Sequence, residues 1–422
     1  MISNIKLVLD ELFSLQRLGI KVGLEQTEKF LYKIGNPHKQ IKCIHIAGTN
    51  GKGSTCAILN KILIEHGLIV GLYTSPHLVR FNERIQINGE QISDSAISEF
   101  MDENSAHIKK LKTTFFETTT AMAFDYFTKK SVDIAIIETG LGGRLDSTNV
   151  ISPLICGISS ISFDHMEILG NNIEKISKEK AGIIKDNTPI VTFEQSEPII
   201  RIIKETAEIR NAPLTIIKNK DVDIIKINNH GSLFRYKKHK FNLPLIGKHQ
   251  VSNCLLAIKI AEIIIGRIDL DKMKNAINNT RWPGRMEKLS DKNIYYDVAH
   301  NYDGIRAMIE TAITYHPRKR LVGLFCIKGD KNISSICSLL SENFHNVIIC
   351  QDKGRYLLGV KKLSKIMNDE KINRLSAQSV KEGLKILLNN KKEESVGLVF
   401  GSHYIAEEVY SEFGKHFDTT YN

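Results

Sequence analysis

Apolar positions in this chain follow two alternating rhythms. Short runs such as Cys43-Ile44-His45-Ile46 read as buried strands, whereas 52–66 carries apolar residues three to four apart at Ala57, Ile58, Ile62 and Leu63 and reads as a helix. The same reading predicts strands over 69–73, 132–138, 154–161 and 190–193, and helices over 94–107 and 198–210. Residues 84–90 alternate and then meet Asn88-Gly89, a hairpin signal. Residues 222–245 read as antiparallel strands turning at Asn229-His230-Gly231. A second series follows Arg281-Trp282-Pro283-Gly284-Arg285: strands over 294–298, 321–327, 347–350 and 396–400, with helices over 303–315, 334–341 and 380–388. Strands alternating with helices predict an α/β fold of mostly parallel sheets covered by helices. Pro283-Gly284 breaks helix and strand alike, so the expected domains are 1–283 and 284–422. There is no short-period repeat.

Size and composition narrow the class. A chain of 422 residues exceeds one ordinary core. Hydrophobic residues at 42% and charged residues at 25% match globular proteins and need no disordered class. No stretch approaches the roughly 20 apolar residues of a membrane span. The first residues carry Lys6, Asp10, Glu11 and Arg17, so neither secretion nor membrane insertion is expected. The seven cysteines (43, 56, 156, 254, 326, 337, 350) form no Cys-x-x-Cys, which argues against zinc and disulfides and for a reducing cytoplasm. The net charge of +11 suits polyanionic ligands such as ATP. Its densest cluster, Lys237-Lys238-His239-Lys240, is flanked by Arg235, Tyr236 and Phe241 on an alternating segment. It reads as a solvated strand face and not a nucleic-acid patch.

The chemistry begins at Ala47-Gly48-Thr49-Asn50-Gly51-Lys52-Gly53-Ser54-Thr55, between a strand and a helix. Small residues there let backbone N–H groups close on phosphate oxygens; the helix N-terminus and Lys52 add positive charge, and a hydroxyl can reach magnesium. The spacing departs from the common phosphate loop, since Ile46 stands at its first glycine and Gly53 separates Lys52 from Ser54. Glu138 ends a strand expected to share an edge with the loop, which suits either a magnesium ligand or a brace for the following loop. Asp164-His165 follows another strand, and Lys180 lies fifteen residues beyond His165. Taken singly, His165 and Lys180 read as structural and solvated residues.

Their company changes this. His45 to Thr55, Thr74-Ser75-Pro76-His77-Leu78, Phe115-Phe116-Glu117, Glu138 to Asn149, Asp164-His165-x-x-x-Leu169-Gly170 and Glu179 to Lys185 occur in one order. Gly19-x-x-x-Gly23-Leu24-Glu25 and Gly35-Asn36-Pro37 precede them; Gly247-Lys248-His249-Gln250-x-x-Asn253, Pro283-Gly284-Arg285 and Asp297-Val298-Ala299-His300-Asn301 follow. Over nearly its whole length the chain resembles the folylpolyglutamate synthase and dihydrofolate synthase family, a branch of the Mur-type ligases.

The resemblance implies an N-terminal ATPase domain with a phosphate loop and a smaller C-terminal Rossmann-like α/β domain. The implied reaction is ATP-dependent ligation of L-glutamate to dihydropteroate, to folyl glutamates, or to both, through an acyl phosphate. By motif, Thr49, Asn50, Gly51, Lys52, Gly53, Ser54, Asn253, Arg285, Asp297 and His300 correspond to ATP-binding positions. Ser75, Glu138, His165 and Lys180 correspond to positions for two magnesium ions, with Lys180 as a carbamate. Lys52, His165 and Lys180 are the implied catalytic residues. Thr114, Phe115, Phe116, Glu117, Leu145, Asp146 and Ser147 correspond to the pterin site, although both phenylalanines suit a helix core equally well. The implied partners are small molecules only, with no nucleic acid or membrane, and the implied assembly is a monomer.

The second domain departs from the family in two places. Ile327-Lys328-Gly329-Asp330-Lys331-Asn332 stands where a Lys-Asp-Lys-Asp run is frequent, and His403 stands where leucine is common. Two other readings compete. A ligase acting on a cell-wall nucleotide usually carries an added N-terminal domain, whereas only about 40 residues precede the loop here. A nucleotide-regulated binding protein would not require Glu138, His165 and Lys180 beside the loop.

Overall fold

The computed structural model describes residues 5–19, 23–228, 230–368, 372–390 and 394–415. Eight strands form the first sheet: β1 (Cys43–Ala47), β2 (Val70–Tyr73), β3 (Ile85–Ile87), β4 (Glu90–Gln91), β5 (Ile134–Glu138), β6 (Ile155–Ile158), β7 (Ile190–Phe193) and β8 (Leu214–Ile217). Their order is β4-β3-β2-β5-β1-β6-β7-β8; β3 and β4 pair antiparallel at one edge and the others are parallel. Strand β1 lies between β5 and β6, so their C-terminal ends open side by side, where ligands bind in open α/β sheets.

Both faces of this sheet are covered, which is why its strands are apolar runs with little alternation. Ile44 and Ile46 of β1 and Ile134 and Ile136 of β5 pack with the helices Lys52–Glu65 and Lys248–Ile265. Ala135 and Ile137 face the helices Asp94–Leu111 and Phe115–Lys129. There Phe127 is fully buried, and a Cβ on Gly71 of β2 would come within 2.8 Å of its ring.

Three further strands, β9 (Val222–Asn228), β10 (Gly231–Tyr236) and β11 (His239–Leu243), form an antiparallel meander. Asn229, in the first predicted turn, lies outside the described residues. The basic cluster differs from its expectation as a strand face: Lys237 and Lys238 form a tight turn, with φ of 46° and 68°. A turn with two positive φ angles matches the strand twist, and Lys237 Nζ meets the Glu262 carboxylate at 2.8 and 2.9 Å. Tyr236 and Phe241 turn inward to the core.

The second sheet has six strands: β12 (Glu287–Ser290), β13 (Ile294–Asp297), β14 (Arg320–Phe325), β15 (Phe344–Ile349), β16 (Arg374–Ser376) and β17 (Ser395–Phe400). Their order is β12-β13-β17-β14-β15-β16, parallel except for β12. Among the described residues no helix is long and apolar enough to cross a membrane, and the seven cysteines are buried and form no disulfide.

The two sheets meet through Asp164, which follows β6. Its Oδ1 accepts a hydrogen bond from Lys331 Nζ at 2.5 Å; its Oδ2 accepts one from Asn301 Nδ2 at 3.1 Å and lies 3.6 Å from His300 Nε2. Lys331, Asn301 and His300 all belong to the second sheet's half. Lys331 and Asp164 are both buried, and these neighbours hold the Asp164 carboxyl far below the usual carboxylate range despite its burial.

Three stability measurements follow from this packing. Phe127→Ala is expected to cost about 3–5 kcal/mol in urea unfolding. Ile209→Ala, at a position 79% exposed, is expected to stay within about 0.5 kcal/mol. Asp164→Asn and Lys331→Met, made singly and together, should show a coupling energy of about 0.5–3 kcal/mol. Strict additivity of the two changes would remove this ion pair from the account of how the domains are held.

Candidate active site

The phosphate loop owes its shape to contacts that exclude side chains. At Gly48, φ is +150° and a Cβ would lie 1.9 Å from Ser159 Oγ; at Gly51, φ is +89° and a Cβ would lie 2.2 Å from Asn253 Oδ1. Only glycine meets both the conformation and the close approach. The loop is tied to the end of β6 by Thr49 N to Ser160 O at 2.6 Å and Thr49 Oγ1 to Ser162 O at 3.0 Å. The helix Lys52–Glu65 then starts at the loop, and its first backbone N–H groups have no partner within the helix.

Two lysines converge on this turn, and neither is within ion-pair distance of a carboxylate among the described residues. Lys52 Nζ donates to the carbonyls of Gly48 at 3.1 Å and Thr49 at 3.3 Å, and buried Lys180 Nζ donates to the same Gly48 carbonyl at 2.8 Å. Burial, aided by the Lys52 charge, lowers the Lys180 ammonium to about 7, so much of it is a neutral amine near neutral pH. Ser54 Oγ and Thr55 Oγ1 are buried with no hydrogen-bond partner. Unpartnered hydroxyls beside Lys52 fit an anion and its counter-cation.

Glu138 ends β5 beside the loop. Its Oε2 accepts from Ser75 N at 3.1 Å, and burial raises its carboxyl against the pull of Lys52, Arg285 and Arg84. Magnesium prefers oxygen ligands and keeps waters and phosphate oxygens in its shell. Glu138 with the hydroxyls of Ser54 and Ser75 is an oxygen set that fits that preference. Among the described residues no three of His, Cys, Asp and Glu gather as a metal site, so the donor set would need phosphate or water to complete it. His165, unlike Glu138, does not line the cleft between the two domains. It begins the short helix Met166–Leu169 with φ of 50°, and the charges acting on its imidazole are those of Asp164, Lys331, His300 and Asp330. Burial, the largest influence, lowers it to about 4.

The second domain closes the site. Asn50 and Asn301 exchange side-chain amide hydrogen bonds at 3.1 and 3.0 Å, joining the phosphate loop to the start of the helix Tyr302–Tyr315. Asp297 ends β13 and accepts from Met286 N at 2.9 Å and Ala299 N at 2.8 Å, which fixes its carboxylate; burial raises it while Arg285 opposes. His300 Nδ1 lies 2.9 Å from Val298 O. A cleft of about 650 Å³ is lined by residues 49–54, Ser75, Glu138, Asn253, Arg285, Asp297 and His300 together. Lys180 is not among its lining residues and reaches the loop only through the Gly48 carbonyl. Asn253 Nδ2 donates to Gln250 Oε1, leaving its carbonyl against Gly51.

None of the residues proposed for the pterin lines this cleft. Thr114 and Glu117 cap the helix Phe115–Lys129 reciprocally, with Glu117 Oε2 accepting from Thr114 N at 2.6 Å and Thr114 Oγ1 accepting from Glu117 N at 3.3 Å. Phe115 is in the core, stacked on Phe13 and under the Arg84 guanidinium, 5.0 Å from the ring centroid. Phe116 is half-buried and lies against Gly140, where a Cβ would meet its ring at 2.3 Å, so this helix and the loop after β5 touch there. Asp146 starts the turn Ser147–Val150, with Leu145 half-buried before it and Ser147 buried after it.

Sequence reasoning passed over the partners of Asp164. Lys331 lies 167 residues away and in the segment that departs from the family run, so no local signal joins the two. Trp282 was read only as part of a boundary, yet its indole lies over Gly53 of the loop, where a Cβ would stand 3.0 Å from Nε1.

Comparison with known proteins agrees with this geometry. The Mur ligase middle domain model matches residues 46–261, and the Mur ligase, glutamate ligase domain model matches residues 284–403. The chain is 34% identical over 417 residues to the dihydrofolate synthase/folylpolyglutamate synthase of Bacillus subtilis, covering 93% of this chain and 95% of that protein. It is similar to Escherichia coli FolC in complex with DHPP and ADP, at 27% identity and a TM-score of 0.84, covering 96% and 97% of the two chains. It is also similar to the Yersinia pestis bifunctional folylpolyglutamate synthase/dihydrofolate synthase complexed with AMPPNP and manganese, at 25% identity and a TM-score of 0.85, covering 98% of each chain. With both domain models matched in order and a relative of this identity spanning nearly its whole length, the chain belongs to the folylpolyglutamate synthase/dihydrofolate synthase branch of the Mur ligase family.

Proposed function

We propose that this protein is an ATP-dependent ligase that joins L-glutamate to dihydropteroate, to the γ-carboxyl of folyl glutamates, or to both. The observation that carries the reading is the cleft in which the phosphate loop, Glu138 and the second-domain residues Arg285, Asp297 and His300 face one another, with buried Lys180 bonded to the loop's Gly48 carbonyl. A carboxylate is a poor electrophile, because its charge is delocalised and its oxygen is a poor leaving group. Transfer of the γ-phosphoryl of ATP to that carboxylate gives ADP and an acyl phosphate. The glutamate amine then attacks the acyl carbon, loses a proton, and phosphate departs.

The chain's part is positioning and charge neutralisation. Gly51, Lys52, Gly53 and Ser54 hold the triphosphate; Thr49 and Asn50 hold the loop to its neighbours. Asn253, Arg285, Asp297 and His300 complete the nucleotide site, with residues 1–283 supplying the loop and pterin site and 284–422 the closing domain. Ser54, Ser75 and Glu138 would hold a magnesium ion, and His165 with a carbamate on Lys180 a second; such ions offset the charge that develops on the transferring phosphoryl group. Carbamylation suits Lys180 physically. Its neutral fraction can attack carbon dioxide, and the product replaces lysine repulsion beside Lys52 with attraction. Thr114, Phe115, Phe116, Glu117, Leu145, Asp146 and Ser147 border the acceptor site. Closure by the second domain keeps water from the acyl phosphate. Both halves of the site lie on one chain, which supports a monomer, and seven buried thiols suit the cytoplasm.

The reading predicts ADP release that requires both glutamate and a pterin acceptor, and comparing dihydropteroate with tetrahydrofolate shows which acceptor is used. Glutamate-independent hydrolysis would instead favour a nucleotide-regulated binding protein. Lys180→Ala should lower turnover by about 100-fold or more while the circular-dichroism spectrum is retained. Removing carbon dioxide from the buffer should lower the activity of the unmodified protein, and bicarbonate should restore it; indifference to both would exclude the carbamate.

A further inference from the structure

His45 is one of the least exposed polar residues in the molecule, yet none of the chemistry above uses it. It sits on β1, three residues before Gly48, facing away from Ile44 and Ile46. Its Nε2 lies 2.8 Å from Thr148 Oγ1, and Thr148 Oγ1 lies 2.5 Å from Asp146 Oδ1. Thr148 N donates to the same Asp146 oxygen at 3.0 Å, and Leu141 N donates to Oδ2 at 2.7 Å. All three side chains are buried.

Burial raises the Asp146 carboxyl, but both of its oxygens accept backbone N–H donors, which favours the ionised form; with the carboxylate ionised, the protons in this chain of contacts have one consistent arrangement. Thr148 has a single hydroxyl proton, and its short contact to a carboxylate oxygen assigns that proton to the Asp146 bond. The hydroxyl oxygen then accepts from His45, so the imidazole carries its proton on Nε2. Its Nδ1 is left with a lone pair, and that atom is buried with no partner. A phenyl ring would fill the same space without an orphaned acceptor, so the imidazole contributes through its Nε2–H.

We propose that His45 and Thr148 form a buried positioning relay that sets the Asp146 carboxylate, and with it the 140–147 loop, for the pterin acceptor. Neither residue touches a reacting atom. The relay fixes the loop after β5 to β1, the strand that carries the phosphate loop, so the acceptor and nucleotide sites share one rigid reference. The neutral imidazole agrees with this arrangement, since burial lowers His45 to about 3. The proposal rests on the reading that residues 145–147 border the pterin.

The test compares steady-state kinetics of the full chain with dihydropteroate, ATP and glutamate. Thr148→Val keeps the shape and removes the hydroxyl; it should raise KM for dihydropteroate by about tenfold and leave KM for ATP within about twofold. Thr148→Ser restores the hydroxyl and should return KM for dihydropteroate to within about threefold of the unmodified protein. His45→Phe should follow Thr148→Val. Asp146→Ala separates the two ideas. If it raises KM for dihydropteroate while Thr148→Val does not, the relay is overturned and the acceptor reading stands. If Asp146→Ala leaves that KM unchanged, the acceptor reading fails and the relay falls with it. One measurement needs no variant: nitrogen NMR of His45 in the unmodified protein should show the Nε2–H tautomer from pH ~6 to ~9. An Nδ1–H tautomer or an imidazolium in that range would overturn the proposal.

Discussion

A carboxylate buried at the seam between two domains must find its counter-charges at that seam, and Asp164 finds them on the far side. Lys331, Asn301 and His300 approach its two oxygens from the second sheet's half, while the residue itself follows β6 of the first. An ion pair of this kind costs desolvation on both sides and repays it only in good geometry, so its value lies in the arrangement it imposes as much as in net stability. Without it the nucleotide site is two half-sites. With it, Asn301 is placed to exchange hydrogen bonds with Asn50, and the phosphate loop acquires its second wall.

The charge at the phosphate loop follows a different logic. Lys52 and Lys180 converge on one backbone oxygen, Gly48 O, and neither meets a carboxylate there. Two like charges at one acceptor are tolerated because one of them is half neutral, the consequence of complete burial. Positive charge is thus held at the proposed phosphate site outside any ion pair. Glu138, raised by burial and opposed by Lys52, belongs to the same balance.

Much of this arrangement was legible in the sequence, because the β1–loop–helix unit is local. Apolar periodicity, three glycines and Lys52 lie within a dozen residues, and the helix begins at Lys52 as expected. Strands buried on both faces announce themselves as apolar runs, hence the good reading of β5, β7 and β17. The edge strands β12 and β16 escaped notice because each is short and half-exposed, with too few apolar residues to show a period. The turn at Lys237-Lys238 was hidden for another reason: lysine carries no turn signal, and its conformation is stabilised by Glu262, distant in sequence. Asp164 and Lys331 were illegible because a charge pair across a domain seam leaves no pattern in either segment.

The paired amides of Asn50 and Asn301 carry a consequence of their own. Within the pair each side chain gives one hydrogen bond and receives one, and each is also held from outside it: Asn50 Nδ2 donates to Ser162 Oγ, and Asn301 donates to Asp164 and accepts from Gly304 N. Any ligand that favours one geometry of the phosphate loop must favour the matching placement of the second domain, and whatever biases that placement alters nucleotide affinity by the same factor. On the proposed nucleotide reading, occupancy of the loop and position of the second domain are thermodynamically linked through this pair.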